Sequence, residues 1–242
     1  MVEIQKTGNI ILGIEEYYYD GVRFLFRPGL VKKIVTFSAF PPHGIEQKFN
    51  YIKDFLNSNY AFFSFLDTNE PPKDPRGTYY LDENFDDTYL KKINDVILSL
   101  SSNITQDETW LLGSSKGGVG ALLVGLTYGF KNIVVMAPQC RIAKYIAKRS
   151  EEILYYMTHG NSESYIKLDN SLLKKIKYCN KNINWNITIL CGMDDKYHLF
   201  ELEILEKCFW MADIQLKQIM LNGAHDRIAL GEYRNYLQNY LN

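Results

Sequence analysis

Thr109-Trp-Leu-Leu-Gly-Ser-Ser-Lys-Gly-Gly-Val-Gly-Ala121 is the stretch on which the reading of the whole chain turns. A short apolar run stops at Gly113, and the small residues Gly117, Gly118, Gly120 and Ala121 open a helix-like run. Ser115 sits at the centre of Gly-x-Ser-x-Gly, the spacing of a serine held on a sharp strand-to-helix turn. Such a serine lies in strained backbone, and glycines two before and two after give it room. The helix that follows aims its first N–H groups at the point where negative charge develops. With Gly and Ser each at ~7% of residues, three such positions recur by chance in about one chain of this length in ten. The pattern therefore gains its weight from context: strand before, helix after.

Outward from that turn, apolar runs alternate with helical periodicity. Asn9–Ile14 and Val22–Phe26, split by Asp20-Gly21, predict an opening antiparallel hairpin. Lys33–Phe37, Tyr60–Leu66, Trp110–Gly113, Asn132–Ala137, Ile187–Cys191 and Ile214–Leu221 predict strands. Residues 45–57, 86–99, 116–128, 199–211 and 227–241 predict helices. Residues 68–77 read as a Pro-rich loop reaching over the active end of the sheet. Between Pro138 and Trp185 no strand pattern occurs; Arg141–Arg149, Glu151–Thr158 and Ser171–Tyr178 look helical, and an insertion there is where a lid sits. With no repeat or linker, residues 1–242 read as one α/β domain with a mostly parallel sheet and helices on both faces. Such sheets bind ligands beyond the carboxyl ends of their strands.

The reactive candidates fall at those ends. A serine hydroxyl needs a base, and the base needs an orienting carboxylate. The chain order Ser115, Asp194 or Asp195, His225 is the order of the α/β-hydrolase arrangement. Gly192-Met-Asp-Asp places a carboxylate just past one strand, and Gly223-Ala-His places an imidazole just past the last. The turn spacing favours Asp195 and leaves Asp194 open. His198 follows the acid too closely to be preferred as the base, His159 reads as structural, and His43 lies near the loop after the Lys33–Phe37 strand, where it reads as a surface loop residue or a substrate contact. The backbone N–H of Lys116 and that of Ala39 or Phe40 are the expected oxyanion donors. No His-Gly-Gly-Gly is present, which leaves the second donor undecided.

Composition narrows the classes. The chain has 242 residues, 46% of them hydrophobic, and a net charge of −1, so no global field steers it to nucleic acid or membrane. No apolar run approaches ~18 residues. Four cysteines form no C-x-x-C and no zinc spacing, so no metal is expected and the thiols read as reduced and buried in a cytoplasmic protein. The N-terminus lacks the shape of a signal peptide. Local cations remain: Arg141, Lys144 and Lys148 at i, i+3 and i+7, with Arg149 beside them, Arg76, the Lys174–Lys177 group and the Lys116 side chain. Each is read either as a solvated charge or as a grip on phosphates. Tyr79 and Tyr80 suit either sugar stacking or a core.

Val35–Pro42, Asn50–Leu56, Arg76–Tyr80, Leu112–Leu122 and Cys191–Leu199 closely resemble the capsular polysaccharide O-acetyltransferases of the meningococcal serogroup A type. The resemblance runs nearly end to end. It implies an α/β-hydrolase fold, acetyl-CoA as co-substrate, and acetylation of N-acetylmannosamine hydroxyls in a phosphodiester-linked capsule polymer. It also implies work on the cytoplasmic side, peripheral to the inner membrane beside the capsule assembly proteins. Homo-oligomers are compatible with it. Ser115, the Asp194/Asp195 pair and His225 fall on the motifs of that family. Spacing alone gives serine acyl-enzyme chemistry, which a thioesterase or esterase shares; a non-catalytic binding module would require a broken triad.

Overall fold

The computed structural model describes residues 3–69, 74–82 and 85–241. Among these residues nine strands, β1 (Gln5–Ile11), β2 (Ile14–Tyr19), β3 (Val22–Arg27), β4 (Lys33–Phe37), β5 (Ala61–Phe65), β6 (Thr109–Ser114), β7 (Asn132–Met136), β8 (Asn186–Gly192) and β9 (Leu216–Leu221), form one sheet. Their order is β1-β2-β3-β5-β4-β6-β7-β8-β9. The pairs from β5 through β9 are parallel; β1, β2, β3 and β5 meet antiparallel. Strands β4, β5 and β7 are buried along their whole length, as expected for strands covered on both faces.

Alternation of side chains splits the core in two. Val35, Leu111, Ile133, Val135 and Ile189 face one layer, built from α2 (Thr88–Ser99), α3 (Lys116–Tyr128), α7 (Ser171–Tyr178) and α8 (Lys196–Met211). Ile34, Leu112, Val134, Met136 and Leu190 face the other, built from α1 (Ile52–Phe55) and α9 (Arg227–Leu241). In α9, Ala229, Tyr233 and Leu237 recur every four residues and supply its buried stripe.

Three segments differ from the sequence reading. The opening is three strands rather than one hairpin: Ile14-Glu-Glu-Tyr-Tyr-Tyr19 pairs with both neighbours, and its acidic Glu16 is buried against Arg23. Residues 45–51 are not helical. Their polar groups serve the strand ends, with Gln47 donating to the carbonyl of Asp67 and Thr36 donating to that of Asn50, and Tyr51 takes a left-handed φ of 61° that delays the helix to Ile52. The insertion holds α4 (Ile142–Ile146), α5 (Glu151–Thr158), α6 (Ser162–Asp169) and α7. Helix α6 lacks an apolar stripe, having only Leu168 buried, so periodicity did not mark it. Part of the 68–77 loop, residues 70–73, lies outside the described residues.

Candidate active site

Ser115 has φ 53° and ψ −125°, a left-handed φ for a non-glycine residue, between the end of β6 and the start of α3. Sterics produce that turn. A Cβ on Gly113 would lie 2.2 Å from the carbonyl oxygen of Gly117, and one on Gly117 would lie 2.4 Å from that of Phe37. Only glycines allow α3 to start this close to β4 and β6. Polar bonds brace the turn from the other layer. The Tyr51 hydroxyl donates to Ser114 Oγ at 2.7 Å, and the buried Tyr233 hydroxyl accepts from the N–H of Gly113 and donates to the carbonyl of Val134. The cost of a strained φ, of order 1–3 kcal/mol, persists where packing over-determines it.

Ser115 opens onto a cavity of about 680 Å³ whose lining includes Ala39, Phe40, His43, Arg76, Lys148, Arg149, His225 and Arg227. Ala39 and Phe40, the expected second oxyanion donors, stand in its wall, and Lys116 is the first residue of α3.

Asp195 and Asp194 part company. Asp194 is exposed. Asp195 is 8% exposed, caps α8 by accepting the His198 N–H, and turns Oδ2 toward two imidazoles. His198 Nδ1 is 2.6 Å from that oxygen and His225 Nδ1 is 3.6 Å from it. Burial raises the affinity of Asp195 for a proton, but the His198 bond outweighs it and holds the carboxyl below the usual range. The two rings stack, centroids 4.5 Å apart and planes 16° from parallel. His225 is 35% exposed and reaches the cavity. Burial above all pushes it down to about 4, so it is a neutral imidazole at pH 7.

His198, set aside in the sequence reading for its closeness to the acid, is thus the nearer partner of Asp195. Its Nε2 meets the amide nitrogen of Gln139 at 2.7 Å, and that nitrogen donates to Ser115 Oγ at 2.9 Å. Sequence reasoning missed Gln139, although it follows the end of β7, where such sheets place ligands. Among the described residues, Asp195, His198 and His225 are the group whose atoms could hold a metal ion. The stacked rings fit one poorly, because imidazole lone pairs lie in the ring planes and these planes run side by side.

Several proposed cations face elsewhere. The Lys116 ammonium is fully buried, bound to Asp67 Oδ2, Gln47 Oε1 and the carbonyl of Arg76, so it is turned from the cavity. Arg141 Nε donates to the buried Glu201 at 2.9 Å, and Glu201 also accepts the N–H groups of Cys140 and Arg141. Helix α4 ends at Ile146, so Arg141, Lys144 and Lys148 do not share one helical face; Lys148 alone of the three lines the cavity. Arg76 reaches the cavity wall over the Phe40 ring, but Asp74 binds it through two oxygens. Tyr79 and Tyr80 are wholly buried, which makes them core rather than a sugar platform. Burial pushes the Cys140 thiol far up, which disfavours it as a nucleophile.

A solved capsule O-acetyltransferase of Neisseria meningitidis serogroup A, in complex with caged gadolinium, is similar at 52% identity and a TM-score of 0.95, covering 98% of this chain and 97% of its own. A histidine-to-alanine mutant of that enzyme in complex with CoA matches at 50% identity and 0.95, covering 98% of each chain. A ferulic acid esterase shares the fold at 12% identity and a TM-score of 0.59. No family model matches, and no curated protein matches.

Proposed function

We propose, from the premise that the chain belongs to the family of the capsule O-acetyltransferase of Neisseria meningitidis serogroup A, that it moves an acetyl group from acetyl-CoA to hydroxyls of N-acetylmannosamine in a phosphodiester-linked capsular polysaccharide. The carrier is Ser115, within a Ser115–His225–Asp195 triad. The observation that most supports this is the strained Ser115 opening onto the cavity that His225 also lines, with Asp195 behind the imidazole. Serine after β6, carboxylate after β8 and imidazole after β9 support an α/β-hydrolase fold. Helix α4 and the turn after it act as its lid, for Tyr145, Lys148 and Arg149 line the cavity. The CoA complex of the related enzyme supports CoA as the leaving group here.

The steps follow from the roles. His225 takes the Ser115 proton as Oγ bonds to the acetyl carbon, and the carbonyl oxygen gathers charge beside the N–H of Lys116 and of Ala39 or Phe40. The C–S bond breaks, His225 returns its proton to the thiolate, and acetyl-Ser115 remains. A sugar hydroxyl then gives its proton to His225, bonds to the acetyl carbon and frees Ser115. Lys148, Arg149 and Arg227 at the cavity supply positive charge for phosphates of donor or acceptor. Among the described residues no helix is long and apolar enough to cross a membrane.

The test incubates the protein with acetyl-CoA, with and without N-acetylmannosamine phosphate polymer, and follows free CoA and the mass of the Ser115 peptide. The expected result is acetyl-Ser115 with slow CoA release until polymer is added, then acetyl on sugar. Rapid CoA release without polymer would make it a thioesterase.

A further inference from the structure

The triad leaves part of the buried polar network unused. Gln139 has no exposed surface, His198 is 5% exposed, and neither lines the cavity. They lie behind Ser115. The Gln139 amide nitrogen, with two hydrogens, lies 2.9 Å from Ser115 Oγ and 2.7 Å from His198 Nε2, and the Ala137 carbonyl at 3.3 Å is a weaker, shared contact. The Ala137 carbonyl, which can only accept, assigns nitrogen to this end of the amide; Oε1 at the other end lies 3.5 Å from the Tyr79 hydroxyl, which can donate to it. With that nitrogen facing it, His198 Nε2 accepts, and Nδ1 is the ring nitrogen that donates to Asp195. Each link fixes the polarity of the next, from carboxylate to imidazole to amide to serine.

We infer that Gln139 is a catalytic donor to the Ser115 oxygen and that His198 is the positioning residue that holds the Gln139 amide in place. The inference rests on the serine reading above. When the Oγ–C bond to acetyl forms, the Gln139 N–H stays on Oγ and fixes the direction of attack. When a sugar oxygen displaces acetyl-Ser115, the electron pair of the breaking bond returns to Oγ. There the same N–H meets it, before His225 restores the proton. A bond to an oxygen gaining charge is roughly twice as strong as one between neutral groups, so this donor favours the transition state over the resting enzyme. Asp195 then serves two arms: His225 on the cavity side and, through His198, Gln139 on the buried side.

Side-chain shape separates this from a structural role. Asparagine at 198 reproduces the Nδ1 donor to Asp195 and loses the acceptor for Gln139. Glutamine at 198 reproduces the Nε2 acceptor and loses the bond to Asp195. Gln139→Ala, His198→Asn and His198→Gln are compared with wild type for acetyl transfer and for the rate at which the Ser115 peptide gains acetyl. Gln139→Ala is expected to lower kcat on the order of 10- to 100-fold, with KM for acetyl-CoA moving less than about threefold. His198→Gln is expected to keep most of the rate and His198→Asn to fall to the level of Gln139→Ala. If Gln139→Ala does not fold, Gln139→Met fills the same slot without a donor and is read the same way. Wild-type acetylation of Ser115 in the donor-less variant overturns the inference, and so does rescue by asparagine rather than glutamine. Absence of acetyl-Ser115 in every form, wild type included, sinks the serine reading itself and is thereby distinguishable.

Discussion

The site has two halves, held by different means. On the β6–α3 side, backbone contact sets the geometry: Gly113 and Gly117 let main chains approach to where no Cβ fits, and Ser115 is forced into its turn. On the β7–β8–β9 side, side chains reach one another across loops, and Asp195, His198, Gln139 and His225 are placed by hydrogen bonds and ring stacking. The first half is rigid by exclusion. The second is held by polar bonds, about 1 kcal/mol each between neutral groups and about 1.5–3 kcal/mol where they reach the Asp195 carboxylate, so it yields to side-chain substitution more readily than the first.

The largest effects probe where the halves meet. Ser115→Ala is expected to remove essentially all acetyl transfer, with loss of at least ~10⁴-fold in kcat and no acetyl on the peptide. Asp195→Asn is expected to cost about 10⁴-fold in kcat, because it loses the acceptor that orients an imidazole. Asp194→Asn, at an exposed carboxylate, should stay within about twofold. Equal losses from the two Asp variants in steady-state assays would break the assignment of Asp195.

Stability separates the halves next. Lys116→Ala leaves the Asp67 carboxylate buried without its ammonium and should cost about 3–5 kcal/mol in denaturant unfolding. The double variant Lys116→Met with Asp67→Leu removes both charges and should recover much of that loss. Should Lys116→Ala instead unfold like wild type and raise KM for acetyl-CoA, the ammonium would belong to substrate rather than to the core.

These expectations track what could be read from residues alone. The bounds of α3 and the place of Ser115 were legible because glycine spacing is a steric demand written in residue types. The strands β4 to β8 were legible because strands buried on both faces need apolar runs, whereas β9, at the sheet edge with mostly exposed or half-buried residues, showed a shorter one. Turn spacing favoured Asp195 over Asp194, and in the structure Asp195 caps α8 while Asp194 is exposed. Gln139 was invisible: a lone glutamine after a strand has no pattern, and its role exists only once β7 and α8 are adjacent. The cations misled for the same reason. Residues 141, 144 and 148 share a face only if one helix spans them, and α4 stops at Ile146.

The histidine on the cavity side of Asp195 gives a pH signature. His225 is pushed down from 6.5 to about 4, mainly by burial. The acid limb of kcat/KM should therefore fall between pH 4 and 6.5, toward the lower value to the extent that water does not reach its 35% exposed ring. The same shift sets the sign for stability. A folded state that binds the proton less tightly than the unfolded chain has the full contribution above pH 6.5 and loses it as pH falls through about 4. An acid limb at or above 6.5 would mean that the imidazole titrating in catalysis is not in this environment.

The smallest effect tests which cations touch substrate. Lys148 lines the cavity while Lys144, four residues earlier, does not, and both are exposed. An exposed cation near a phosphate gains of order 1 kcal/mol, so Lys148→Ala should raise KM for acetyl-CoA or for polymer about fivefold with kcat nearly unchanged. Lys144→Ala should leave both constants within the error of the assay. The Lys148 effect should shrink between low salt and ~0.3 M salt, because ions screen exposed pairs. A matching rise in KM for Lys144→Ala would point to a general electrostatic field over the insertion instead of a contact at the cavity, and the position of Lys148 in the wall would then carry no specificity.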